Sequence, residues 1–296
     1  MIELSDLIAE DARARLGVAG DTLNTAVYLA RILPPETAAI SYLTALGPDQ
    51  LSERMLSFMA SEGIDTTHVA RIEDKLPGIY AIELDQAGER SFRYWRSQSA
   101  ARSMFRPGAI DLSVINGFDM IYLSGISLAI LPPGDRSALL AKLGEIKAGG
   151  RMIAFDSNYR PKLWNDREEA RNAIAAAGRV ATIALPSLDD EIALGGPATA
   201  QDIIDRIAAE GVTEVALKRG PDGPMIMVEG VAFEGVFAPA QVVLDTTAAG
   251  DSFNAGYLAG RIAGQSPAEA AQVGHALAAN VIGHNGAIVD TYDLSV

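Results

Sequence analysis

Apolar positions along the chain change their period several times, and each change marks an element. Residues 20–33 are rich in Ala, Leu and Thr; Asp21 or Thr22 is placed to cap a helix there, and Pro34-Pro35 stops it. Residues 38–46 are apolar and turn at Gly47-Pro48, the pattern of a buried strand. Residues 51–62 form an amphipathic helix ended by Gly63. Two short runs rich in β-branched or aromatic residues, 79–84 and 91–96, are joined by Asp85-Gln-Ala-Gly88 and read as a hairpin. It stands outside the rhythm that follows, as a lid or small accessory sheet. From Asp119 onward, strands at 120–124, 152–156, 182–185 and 214–218 alternate with helices at 136–148, 167–177 and 200–210. Two further short strands flank Glu229-Gly230, and helices from 250 to about 264 and from 267 to about 283 complete the chain. This alternation predicts an α/β fold, with a mostly parallel sheet carrying helices on both faces.

Composition narrows the chemistry. The 296 residues, 49% hydrophobic and 21% charged, can bury a substantial core. A net charge of -14 repels nucleic acid and anionic membranes, so neither is expected as a partner, and an anionic ligand needs local Arg or Lys. Without cysteine there are no disulfides, thiolate metal sites or cysteine nucleophiles, and His68, His275 and His284 share no metal-ligand spacing. No apolar run spans a bilayer and no secretory pattern opens the chain, so a soluble cytoplasmic protein is expected.

Ligands of such sheets bind beyond the carboxyl ends of the strands. Three polar segments fall there: Asp156-Ser-Asn158-Tyr-Arg160, Lys218-Arg-Gly220 and Asp245-Thr-Thr-Ala-Ala-Gly-Asp251. In the last, the small residues Ala248, Ala249 and Gly250 lead into a helix starting near Asp251. Helix-terminal N–H groups without bulky side chains can approach an anion closely, as phosphoryl transfer requires. An aspartate at that point can accept a proton from an attacking hydroxyl. Taken alone, it is more often an N-cap.

The longer stretch Asp245-Thr-Thr-Ala-Ala-Gly-Asp251-Ser-Phe-Asn-Ala-Gly256 closely resembles the C-terminal signature of the PfkB carbohydrate kinases. The resemblance implies a ribokinase-like three-layer αβα domain over residues 1–296, with a β lid built from about 77–105 and the N-terminal residues. It implies that Asp251 deprotonates a sugar hydroxyl and that Ala248, Ala249 and Gly250 form the anion hole. Many members have glycine where this chain has Ala248. Gly20, Asp21 and Asn24 resemble the sugar-binding segment, with Ala19-Gly20 where many members have two glycines. Lys218, Gly220 and Gly223 resemble the segment lining the nucleotide phosphates. By the same resemblance Asn158 joins the nucleotide site, and Asn280 with the Gly286-Ala287 turn falls at the adenine pocket.

Within the family, Tyr94-Trp-Arg96-Ser, Tyr122-Leu-Ser-Gly-Ile and the segment from Asp156 to Trp164 look most like the members that phosphorylate 2-keto-3-deoxygluconate. That substrate carries a carboxylate, and guanidinium groups bind carboxylates bidentately. By this resemblance Tyr80, Tyr94, Arg96 and Arg160 contact the substrate; without it, Arg93, Arg96 and Arg102 read as a solvated strand face. ATP and Mg2+ are the implied cofactors, with a monovalent cation as a further candidate. The family's Asn-x-x-Glu magnesium motif is replaced here, leaving Asp190 or Glu191 as candidate ligands, directly or through water. A homo-oligomer is the implied assembly, with a dimer through the lid as its candidate form. Members usually begin with a strand ending in Gly-Glu ahead of the segment resembling Met1-Ile-Glu-Leu4; a chain without it is expected to show an open sheet edge or a damaged core. The alternatives are a kinase of a neutral sugar such as fructose or ribose, and a non-catalytic nucleotide- or sugar-binding relative. A Rossmann dehydrogenase is disfavoured, because no Gly-x-Gly-x-x-Gly follows a first strand.

Overall fold

A computed structural model describes residues 1–8, 13–84 and 90–289. The chain opens with β1 (Ile2–Ile8) and β2 (Arg13–Val18), an antiparallel pair. Helix α1 (Thr22–Ile32), β3 (Thr44–Leu46), α2 (Gln50–Ser61) and β4 (Val69–Arg71) follow. The predicted hairpin strands are β5 (Ile79–Leu84) and β6 (Arg90–Trp95), paired antiparallel; the predicted turn at 85–88 lies outside the described residues. β5 also pairs in parallel with β1, so the N-terminal strands and the hairpin share one sheet of order β2-β1-β5-β6.

The regular rhythm then begins: β7 (Met120–Ser124), α3 (Gly125–Ile130), α4 (Pro133–Ala148), β8 (Met152–Asp156), α5 (Arg167–Val180), β9 (Ile183–Ala184), α6 (Leu188–Gly195), α7 (Ala200–Ala209) and β10 (Glu214–Leu217). The hairpin β11 (Met225–Val228) and β12 (Val231–Glu234) precedes the last two helices, α8 (Ala249–Ile262) and α9 (Pro267–Val281). The main sheet has the order β12-β11-β10-β9-β8-β7. Its β7 to β10 run parallel, and the last two strands are antiparallel.

Alternation along these strands builds a three-layer body. Ile153, Phe155, Val215, Leu217, Met225 and Met227 face a core closed by α3, α4, α5 and α7, through residues such as Leu128, Leu143, Ile174 and Ile203. Ala154, Ala216 and Ile226 face the opposite core, closed by α1, α8 and α9 through Tyr28, Tyr257 and Leu277. Among the described residues β7 is an edge of the main sheet, and its Met120, Ile121 and Tyr122 are half-buried. β3 and β4 form a separate parallel pair, whose Ala45 and the following Ile72 belong to the same core as Leu123.

Three sequence expectations needed adjustment. The strand expected over 38–46 is confined to Thr44–Leu46, because the backbone groups of Ile40 and Tyr42 are taken by the single residue Asp65. The helix expected from 136 starts three residues earlier, with Pro133 at its first position, where a missing N–H costs nothing. The strand expected over 182–185 shrinks to Ile183–Ala184.

Helices α8 and α9 cross at glycine. A Cβ built on Gly256 would sit 2.7 Å from the Gly274 Cα, and one on Gly260 would sit 2.8 Å from the Ala270 Cα. Overpacking such a contact typically costs about 1–3 kcal/mol. Gly256→Val is expected to lower the unfolding free energy by at least that amount, read from urea denaturation; an unchanged midpoint would show that the crossing can yield.

Candidate active site

The candidate groups converge where β7, β8 and β10 end and α1 and α8 begin. The end of β8 supplies Asp156, buried, followed by Ser157 and Asn158. The end of β10 supplies Lys218, whose Nζ donates to Asp156 Oδ2 at 2.8 Å. Helix α8 supplies Asn254: its Nδ2 donates to Asp156 Oδ2 at 2.6 Å and to the Tyr122 hydroxyl at 3.0 Å, and its Oδ1 accepts from Lys218 Nζ at 2.9 Å.

Asp251 lies in the first turn of α8 and is only partly exposed. Its Oδ2 accepts from Asn24 Nδ2 at 2.7 Å, and its backbone carbonyl accepts from Thr25 Oγ1 at 3.1 Å. Asn24 is itself oriented by the Gly20 amide, which donates to its Oδ1 at 2.7 Å. Asp21 precedes α1 with φ 47°, and it does not cap the helix. Its carboxylate instead accepts from Ser124 Oγ and from Asn158 Nδ2, each at 2.7 Å. Burial raises the Asp21 carboxyl above its ordinary range. Burial, then the charge of Asp21, pushes Asp251 up to about 7; Asn24 and Lys218 oppose that shift and Asp156 adds to it.

The segment before α8 explains the small residues. Ala248 is left-handed, with φ 60° and ψ 16°, so it fills a slot that suits glycine at a modest steric cost. Asp245 holds the turn: its Oδ1 accepts from the amide and hydroxyl of Thr247, and its Oδ2 accepts from the Gly286 amide at 2.6 Å. The Ala249 amide donates to the Thr246 carbonyl at 3.2 Å, and the amides of Gly250 and Asp251 open α8 beyond a turn of small residues.

The arginines approach the same space from two sides. Arg96, at the end of β6, lies 4.2 Å over the Tyr94 ring, which packs against buried Tyr80. Tyr80 donates its hydroxyl hydrogen bond to Glu3. Burial depresses the Arg96 guanidinium below its ordinary range, Tyr94 and Asp21 support its charge, and Arg160 repels it. Arg160 donates from Nη1 to Asp190 at 2.9 and 3.2 Å. Burial raises Asp190 despite Arg160, with Asp156 also adding to the shift, which places Asp190 at the rim of the cleft.

Not every expected residue arrives there. Glu191 is turned to the other face of α6, where it is buried and paired with Arg206 at 2.5 Å, so the structure does not bring it beside Asp190 as a second metal ligand. Among the described residues, no cluster of three or more acidic or histidine side chains could hold a metal ion by itself. Gly220 and Gly223 shape the turn after β10, with φ 58° and 72°. Asn280 ends α9 with a buried Oδ1 that has no protein partner, as do Ser157 Oγ and Asn158 Oδ1 in the cleft. Thr25, Ser124 and Asn254 had not been singled out from the sequence. For Asn254 a signal existed: it lies three residues beyond Asp251, on the same helix face.

The sequence matches the family described as pfkB family carbohydrate kinase over residues 3–293. The chain belongs to the pfkB family of carbohydrate kinases. It is 45% identical over 294 residues to the 2-dehydro-3-deoxygluconokinase of Escherichia coli (strain K12), covering 98% of this chain and 94% of that one. It is 42% identical over 280 residues to the enzyme of the same name from Haemophilus influenzae, covering 93% and 89%. The fold is that of solved family structures. The 2-dehydro-3-deoxygluconokinase of Thermotoga maritima superposes with a TM-score of 0.83 at 20% identity, covering 98% and 92% of the two chains. A putative ribokinase II from E. coli in complex with ATP and Mg2+ superposes at 0.81 and 21%, covering 97% and 91%. Among the described residues, no helix is long and apolar enough to cross a membrane.

A carboxyl raised to about 7 has a stability consequence with a definite sign. Below pH ~4 it is protonated folded or unfolded and contributes nothing; as pH rises toward 7 the unfolded chain releases the proton first, so the fold loses stability. At ~1.4 kcal/mol per unit the loss reaches at most about 4 kcal/mol above pH 7. Asp251→Asn is expected to be more stable than the parent at pH 8, with the difference fading by pH 4.5. Parallel stability curves across that window would show that Asp251 titrates normally.

Proposed function

We propose that the protein transfers the γ-phosphoryl group of ATP to the terminal hydroxyl of 2-keto-3-deoxygluconate (2-dehydro-3-deoxygluconate), giving 2-keto-3-deoxy-6-phosphogluconate. The observation that carries this reading is the seat of Asp251: its carboxylate is held by Asn24 in the first turn of α8, and burial with the charge of Asp21 pushes it up to about 7. The full-length likeness to enzymes named for that reaction supports it.

In this reading the Asp251 carboxylate takes the proton of the attacking hydroxyl, the hydroxyl oxygen bonds to the γ-phosphorus, and ADP leaves. The amides at Ala248, Ala249 and Gly250 meet the charge on the transferring group. Asp21 and Asn24, beside Gly20, accept and donate to sugar hydroxyls. Arg96 and Arg160 bind the carboxylate, with Tyr80 and Tyr94 forming the lid wall. Arg160 must first leave Asp190; an exposed ion pair is worth at most about 1 kcal/mol, so that exchange is inexpensive. Lys218, Asn158, Gly220, Gly223 and Asn280 line the nucleotide. Among the described residues no acidic trio would hold Mg2+ alone; the nucleotide phosphates with Asp190 as a candidate ligand would hold it, and it would supply charge neutralisation there. The four-stranded sheet serves as the lid, and the enzyme is read as cytoplasmic. Exposed Tyr94 and Trp95 on that sheet suit a dimer contact, which sedimentation of the purified protein decides.

A substrate panel of 2-keto-3-deoxygluconate, fructose and ribose tests the reaction; turnover of a neutral sugar alone would overturn it. Asp251→Asn is expected to lower kcat by at least 10³-fold, roughly the loss of a general base and its alignment, while ATP still binds. In parallel, Arg160→Ala is expected to raise KM for the sugar acid at least tenfold more than KM for ATP. An unchanged sugar-acid KM would remove the arginine from carboxylate recognition.

A further inference from the structure

Behind the helix start Lys218 sits in a buried polar cluster whose other members, Asn254, Asp156 and Tyr122, have no role in the proposed reaction. Asn254 is fully buried, and Asp156 nearly so. Lys218 Nζ is held between them, 2.8 Å from Asp156 Oδ2 and 2.9 Å from Asn254 Oδ1. The same carboxamide donates to Asp156 and to the Tyr122 hydroxyl, so both ends of Asn254 are used. The ammonium lies close to the opening of α8: a Cβ built on Gly250 would be 3.7 Å from Nζ. A lysine side chain has four rotatable carbons and a diffuse reach. Two acceptors on separate elements, the end of β8 and the second turn of α8, reduce that reach to one position.

As a stabilising device this arrangement is poor, since a buried ion pair rarely outweighs its desolvation. As a positioning device it is well built. Asn254 lies one helical turn beyond Gly250 and Asp251, so the group that fixes the lysine is rigidly tied to the residues that open the helix.

We propose that Asn254, backed by Asp156 and Tyr122, is the positioning residue for Lys218, fixing its ammonium beside Gly250 where a transferring phosphoryl oxygen would arrive. The phosphoryl part rests on the kinase reading; the placement of Lys218 does not. The groups that bear on Asp251 are Asp21, Asp156 and Lys218, with the hydroxyls of Tyr28, Tyr42, Tyr80 and Tyr122, all raised by burial and neutral in the working range. Asn24 and then Lys218 oppose the rise of the Asp251 carboxyl, so an ammonium that drifts lets the carboxyl rise further.

The test is a double-mutant cycle on the full chain with Asn254→Leu, which keeps the volume, and Lys218→Met. Asn254→Leu is expected to lower kcat about 10- to 100-fold with KM for the sugar acid within about twofold of the parent. The acid limb of kcat/KM should move up by a few tenths of a pH unit to about one unit. In the Lys218→Met background the same substitution should cost no more than about twofold. An equal loss in both backgrounds, or an unmoved acid limb, would overturn the proposal. The Asp251 titration is also read without turnover, from the pH dependence of unfolding. If the parent phosphorylates no sugar, the kinase reading fails by itself; the placement of Lys218 then stands if Asn254→Leu shifts that titration and falls if it does not. Should Asn254→Leu not fold, Tyr122→Phe removes a single hydroxyl from the cluster. A smaller kcat loss, confined to the Lys218 background, supports the proposal, and a loss independent of Lys218 overturns it.

Discussion

Three carboxylates, Asp21, Asp156 and Asp251, share one small region with the ammonium of Lys218, and much of the surrounding structure makes that crowding tolerable. Asp156 takes the ion pair and Asn254. Asp21 is met by the hydroxyl of Ser124 and the amide of Asn158. Asp251 receives one side-chain amide, from Asn24, and burial with the charge of Asp21 pushes it up to about 7, while Asp21 is itself raised by burial. Unequal solvation of like groups separates their roles. The donors come from α1, β7, β8, β10 and α8, so the crowding is relieved only when both ends of the chain are folded together.

The same arrangement bears on selectivity. A chain of net charge -14 is a poor host for an anionic sugar unless local cations intervene. Arg96, stacked on Tyr94, and Arg160, loosely paired with Asp190, face one another across the mouth of the cleft. Arg160 is already neutralised by Asp190, and the charge of Arg96 is supported by Asp21, so an arriving anion would have to displace the first of these partners. In the free protein, aromatic stacking and a solvent-exposed ion pair keep the two guanidinium groups in place at low cost.

Much of the body was legible because its signals are local. The β-α alternation from Asp119 onward and the small-residue turn before Asp251 could be read directly. The pairing of the N-terminal strands was not, because β1 pairs with β5, more than seventy residues away; Ala14, Leu16 and Val18 alternate along β2, but a strand so short names no partner. Which acid of helix α6 turns inward depends on Arg206, a residue of another helix. Asp190 and Glu191 are adjacent in sequence but lie about 100° apart around the helix, so proximity in sequence was no guide to a shared metal site. The role of Asn254 was hidden for a related reason: its partners Asp156 and Lys218 come from separate strands.

Helix α8 also has a bearing on when the site comes into being. Three of its fourteen residues, Gly250, Gly256 and Gly260, are glycine, each lowering intrinsic helix propensity by roughly 1 kcal/mol relative to alanine. Two of them are there because α9 passes too close for a side chain. On its own α8 is therefore a weak helix, and its order comes from docking against α9 and the sheet. The acid at the centre of the cleft is carried on a segment that takes shape only once the C-terminal helix has arrived. The geometry of the active centre therefore depends on a helix–helix contact that lies outside it.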